Sequence, residues 1–156
     1  METRINPLAT EFAPKFVKHL IAAHRVTGAS AVPAATLELV NIRASQLNGC
    51  GICLDMHVKD AAAAGETPVR LALVAAWRET NVFTEAERAA LELTEHGTRL
   101  ADGAGVPDDV WANAAKHYDD EQLVALVSQI ALINAFNRLG VILRQPGGDY
   151  QPGQHG

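Results

Sequence analysis

Cysteine, methionine, tryptophan and tyrosine each occur only twice in this 156-residue chain, and aromatic residues make up just 5% of it. Alternating apolar–polar runs bounded by turn residues are hard to find, which argues against a sheet. Also missing is any cluster of lysine and arginine. The formal net charge is −5 with the basic residues scattered, so nothing offers a footprint for a phosphate backbone, and no nucleic-acid partner is expected. Without a glycine run of the dinucleotide-binding or P-loop type, no nucleotide cofactor is expected. No apolar stretch reads as long enough to cross a bilayer, and METRINPLATEFAPKF lacks the basic, apolar and small-residue succession of a secretory signal. The expectations are no membrane and a cytoplasmic location.

What the chain does have is 48% hydrophobic residues, mostly at helical spacing, against 20% charged residues. This balance predicts one all-α domain over residues 1–156, a bundle of about six to seven helices around one core. The first helix is expected from about Pro14 to Thr27, with His19 and His24 facing solvent. A second should start near Pro33 and end at Asn48-Gly49. The third starts at Cys50 or Gly51 and stops at Gly65. Thr67-Pro68 opens a fourth, running through Trp77, and Thr84 with Glu87 forms a capping box for a fifth that ends before Gly103. A short helix from Pro107 to His117 precedes a long one from Asp120 to Leu143. The long helix is apolar on more than one stripe, so it should be central to the core or buried between subunits. The tail over about 145–156, rich in Gly, Pro and Gln, should be loose or lie on a neighbour.

Chemistry concentrates at Cys50-x-x-Cys53. In a reducing compartment two cysteines are seldom a permanent staple and are more often catalytic or metal-binding. A helix N-terminus favours the thiolate, through unpaired backbone N–H groups and the positive end of the dipole. Gly49 and Gly51 leave the approach open on this reading. His57 follows Cys53 by four residues and Cys50 by seven, so the three share a helix face, whereas Asp55 and Lys59 turn away toward solvent. Glu38, on the preceding helix among Ala35, Leu39 and Ile42, is either a solvated acid paired with Arg43 or a partner for His57. A zinc site takes four ligands, or three plus water, usually with a second C-x-x-C or H-x-x-x-H in the sequence, and the local set is only Cys50, Cys53 and His57. An inert buried pair is the other alternative. Trp77 and Trp111 read as packing residues, and His96 and His117 as surface. Asn134, Asn137 and Arg138 interrupt the last helix and suit either a polar pocket or a satisfied hydrogen-bond network.

Glu38, then eleven residues, then Cys50-x-x-Cys53-x-x-x-His57, resembles the signature of the alkylhydroperoxidase D and carboxymuconolactone decarboxylase superfamily. The likeness extends through LELVNIRASQLNGCGICLDMHVKDAAAAGET, LVAAWRET and TEAERAALELTE, roughly residues 35–100. The resemblance implies an all-α fold presenting the cysteines at the start of a helix, and assembly as trimers or hexamers. It also implies a thiol peroxidase for hydrogen peroxide or small organic hydroperoxides, without metal or cofactor. Cys53 would be the attacking thiol and Cys50 the proton donor and resolving thiol, with Glu38 and His57 as a proton relay. The reductant would be a dithiol, a lipoylated protein in the best-known branch. That branch often carries a histidine inside the motif where this chain has Ile52. Lactone decarboxylases of the superfamily need not carry the cysteine pair, so its presence favours redox chemistry. A non-enzymatic redox sensor or assembly protein and a lactone enzyme are the alternatives.

Overall fold

The computed structural model describes residues 2–103 and 105–154, and among these there are seven α-helices and no strand. They are α1 (Phe12–Gly28), α2 (Ala34–Asn48), α3 (Gly51–Ala63), α4 (Pro68–Leu73), α5 (Glu85–Thr98), α6 (Asp108–Ala114) and α7 (Asp120–Ile142), with short 3-10 turns between some of them. Punctuation in the sequence sets most of these limits. Thr67 and Thr84 cap α4 and α5 with their hydroxyls, and the Thr84–Glu87 capping box is formed in both directions. Asp119 and Gln122 make an equivalent box for α7.

The centre of the molecule is α2, which packs on α7, α3 and α5. One side feeds Leu37 and Val40 into a cluster with Leu93, Leu123, Leu126 and Ile130, and the other feeds Leu39 and Ile42 into a cluster with Leu71, Val74, Trp77 and Leu91. A helix buried on two sides shows no single apolar stripe, which is why α2 carries buried Thr36, Asn41 and Ser45 among its aliphatic residues. By length and apolar composition α7 could cross a membrane, contrary to the reading that no run is long enough. Here it packs on α1, α2, α3 and α5, with Leu123, Leu126, Ile130 and Ile133 buried, while Val124 and Val127 stay exposed.

The fourth helix does not reach Trp77. It ends at Leu73, and Val74–Glu79 continues as a 3-10 segment kinked at Ala76. The kink sends the Trp77 indole into the core, where its N–H donates to Glu95 Oε1 at 2.8 Å and the guanidinium groups of Arg78 and Arg88 lie over its ring. Arg88 also holds the carbonyls of Trp77 and Thr80. Glu95 is therefore a hub, accepting from Trp77, from Arg43 Nε at 2.7 Å and from Arg78.

Burial pushes the Glu95 carboxyl up, but the hydrogen bonds from Trp77, Arg78 and Arg43 outweigh it, and the net direction is below the ordinary value. A carboxyl depressed by folding contributes stability above its unfolded value and loses it as pH falls through the folded one. Glu95→Ala is expected to cost about 2–3 kcal/mol at neutral pH, since hydrogen bonds to a charged group are lost and the guanidinium groups of Arg43 and Arg78 each lose one of their partners. That corresponds to roughly 5–10 °C in melting temperature for a chain of this size. Thermal melts over a pH series should show the gap from wild type narrowing below about pH 4. A gap independent of pH would mean that packing, not charge, carries the effect.

Candidate active site

The turn between α2 and α3 builds the site. Gly49 adopts φ +67°, the left-handed conformation that ends α2, and its N–H bonds the Gln46 carbonyl at 3.3 Å. The next N–H, of Cys50, bonds Ser45 O at 3.0 Å, so the chain reverses immediately and Cys50 becomes the N-cap of α3. Leu54 is the first to return a hydrogen bond to this helix, to Cys50 O. The amides of residues 51–53 thus form the positive end that a developing thiolate needs. Gly49 serves the turn, and it is exposed with open space where a side chain would stand.

Cys50 and Cys53 are joined as a disulfide, with Cα atoms 5.4 Å apart. Both are buried, in a small cluster with Ala44, Ile133 and the partly buried Ile52. One turn beyond Cys53 stands His57, also buried, whose Nδ1 lies 2.9 Å from Glu38 Oε2. A carboxylate only accepts, so Nδ1 carries the proton and Nε2 is left as the basic nitrogen. The Glu38 side chain is 26% exposed and that of His57 11%, so the pair joins a buried imidazole to solvent. Arg43 is not the partner of Glu38, because it is committed to Glu95. All four residues singled out from the sequence therefore belong to one α2–α3 unit.

Access differs from the expectation. The tail over residues 147–150 is held along α3 of the same chain, while 155–156, also part of the segment expected to be loose, lie outside the described residues. Asp55 Oδ2 accepts the N–H groups of Gly148 at 2.6 Å and Tyr150 at 3.0 Å, while Lys59 Nζ donates to both their carbonyls. The Tyr150 hydroxyl reaches Asp60 at 2.9 Å. Asp55 and Lys59, expected in solvent, form the clasp for this tail. The hydrogen bond from Lys59 and those from Gly148 and Tyr150 hold the Asp55 carboxyl below its usual range, so the clasp is intact at neutral pH and weakens in acid. Gly147 sits so close to the Gly51 carbonyl that a Cβ there would collide with it. Above the motif a cavity of about 260 Å3 remains, touching Ile52 and walled by Pro7, Leu8, Gln145 and Pro146.

Behind the disulfide, α2 and α7 share a buried polar seam. Asn48 donates to Asn134 and Asn137, Asn137 donates to Ser45, and Asn134 donates to Thr98. Farther along, Gln129 links Asn41 to Thr27 and His24, so His24 is half-buried and not a solvent-facing residue. The satisfied network is thus the reading that holds for Asn134 and Asn137. Asn134 and Arg138 also line an open cavity of about 990 Å3 with Trp111, which is 44% exposed and not packed as Trp77 is. Sequence reasoning missed Asp60, Tyr150 and Gly140, the last of which backs the sulfurs. A glycine inside an otherwise apolar helix was the available signal for it.

The sequence profile of the Carboxymuconolactone decarboxylase family matches residues 13–96, more than half of the chain. The chain belongs to this family. It is 41% identical over 133 residues to the uncharacterized protein YdfG of Bacillus subtilis (strain 168), across 85% of this chain and 90% of that one. Its fold is similar to that of ATU0492 from Agrobacterium tumefaciens, a protein of unknown function for which an AhpD-type antioxidant defence role has been suggested. The two align with a TM-score of 0.88 and 33% identity over 96% of this chain and 100% of that one. A peroxidase-related protein from Ralstonia eutropha JMP134 with an alkylhydroperoxidase AhpD core aligns at 0.76 and 16% identity, over 87% of this chain and 72% of that one. At that identity the likeness concerns the fold alone. The alkylhydroperoxidase D-like helical fold, with the C-x-x-C pair at the start of a helix, is the fold observed.

Proposed function

We propose that this member of the carboxymuconolactone decarboxylase family is a thiol-dependent peroxidase for hydrogen peroxide or small organic hydroperoxides. The observation that carries the reading is the bonded Cys50–Cys53 pair at the N-terminus of α3, with the His57–Glu38 pair one turn away. The Cys53 thiolate attacks the terminal peroxide oxygen, the O–O bond breaks, and the alcohol or water leaves with a proton. Cys53 is then a sulfenic acid. The Cys50 thiol condenses with it, forming the S–S bond and releasing water, and an external dithiol returns both cysteines to thiols as it becomes a disulfide itself. His57, held by Glu38, moves protons at the sulfurs.

The dithiol we propose is a lipoyl group or a comparable small dithiol. A narrow reductant suits the covered motif better than a bulky one, since the tail lies over Gly51 and the cavity at Ile52 is small. The protein works as a homo-oligomer, a trimer or hexamer, in the cytoplasm. Support for assembly comes from α1, in which Thr27 is the one buried residue and Phe12 and Phe16 stack while exposed. The test is peroxide consumption at substoichiometric protein with dihydrolipoamide as donor. Many turnovers per chain are expected. A single equivalent consumed, with the disulfide formed once and no cycling, would instead describe a redox switch.

A further inference from the structure

We infer that Gly140 is a positioning residue for the dithiol–disulfide couple, and that its missing side chain is what lets α7 accept the Cys50–Cys53 bond. This inference rests on the redox reading of the pair. Gly140 is buried near the end of α7, where glycine costs roughly 1 kcal/mol relative to alanine. Its backbone is not among the positive-φ residues, so conformation does not demand glycine there. Space does. A Cβ at position 140 would lie 2.9 Å from Cys50 Sγ, 3.0 Å from Ile52 Cγ2 and 3.8 Å from Cys53 Sγ. The first two are well inside the about 3.5–4.0 Å at which non-bonded heavy atoms pack best.

Neither neighbour gives way easily in the oxidised protein. Cys50 Sγ is tied at both ends by the disulfide, and the β-branched Ile52 is stiff at χ1. The α7 backbone is itself held, because the Gly140 carbonyl accepts the Gln145 N–H at 2.9 Å and the helix packs along α2. In the dithiol the Cys50 thiol is free to take another rotamer. A methyl group at position 140 therefore penalises the disulfide more than the dithiol. Breaking the bond requires two electrons and two protons, supplied in a redox buffer by two glutathione thiols that leave as glutathione disulfide, so the effect appears directly in that equilibrium.

The experiment equilibrates wild type and Gly140→Ala in glutathione buffers of graded ratio, with the dithiol fraction counted by alkylation and mass spectrometry. Gly97→Ala is the control, since its Cβ would meet the Cγ2 of a buried isoleucine, Ile130, at 3.1 Å much as position 140 meets Ile52, but no sulfur. At least a tenfold shift toward the dithiol is expected for Gly140→Ala, about 30 mV upward in reduction potential, with no comparable shift for Gly97→Ala. Melting temperatures of the oxidised and reduced forms are measured alongside, and the oxidised form of Gly140→Ala should lose more than the reduced one. An unchanged potential overturns the inference. So does an equal loss of stability, or failure to fold, in both redox forms, which would make Gly140 a packing residue only. Peroxide plays no part in these measurements. A shifted potential in a protein that does not turn over peroxide would leave the inference standing and remove the peroxidase reading.

Discussion

Peroxide turnover in Cys53→Ser is expected to fall by at least about 10³-fold, to the uncatalysed background, because a serine hydroxyl at this helix start supplies no comparable nucleophile. Cys50→Ser should behave differently. Its Cys53 still attacks once, so one equivalent of peroxide disappears per chain, and the product stays as a sulfenic acid that a trapping reagent marks by mass spectrometry. The asymmetry has a structural counterpart. Cys50 is the N-cap, its sulfur faces the α7 backbone at Gly140, and a Cβ there would meet it almost an ångström closer than it would meet Cys53. Cys53 lies inside the first turn of the helix, and His57 is one turn away from it on the same helix. Retained turnover in Cys53→Ser, with the sulfenic acid trapped on Cys50, would reverse the two roles. Loss of folding would explain neither variant, since removing the crosslink leaves the apolar clusters around α2 untouched.

The residues that prove legible in the sequence are those whose signals are local. Thr84 and Glu87 announce a helix start because the capping box is a three-residue affair, and Asn48-Gly49 announces a break because only a residue tolerant of positive φ continues there. Spacing by four places Cys53 and His57 on one side of any helix that carries them both. Contacts between distant segments are not legible in this way. Nothing within a few residues of Asp55 shows that backbone amides more than ninety positions later will complete its hydrogen bonds. The tail's Gly and Pro content suggests looseness, yet its glycine at 147 is what allows close approach to Gly51. Likewise helical spacing carries α4 on through Trp77, because a periodic pattern does not reveal that Glu95 and Arg88 will draw the indole and its carbonyl inward. Glu38 lies between these cases: composition leaves it as an exposed acid or a buried partner, and the α2–α3 packing decides for His57.

If Glu38 and His57 act on protons as one unit, losing either should cost nearly what losing both costs. Glu38→Gln and His57→Ala are each expected to slow peroxide turnover about 10²-fold, within the usual range for a positioned acid or base, and the double variant should lose little more. Independent contributions would instead multiply to about 10⁴-fold. The reason lies in the geometry. Glu38 faces Nδ1 at 2.9 Å, so on the relay reading its work is to orient the imidazole and balance the charge that forms on it. Without that carboxylate the ring can turn or take the other tautomer, and Nε2 no longer waits as the acceptor. Added imidazole separates this role from a structural one, because it should restore part of the rate to His57→Ala and none to Glu38→Gln, where a ring is already present but unheld. Thermal melts of the oxidised proteins supply the control. Glu38 is partly exposed, so Glu38→Gln should change stability by only about 1 kcal/mol while its rate changes a hundredfold. Equal rescue of both variants, or multiplicative losses, would dissolve the relay into two separate residues.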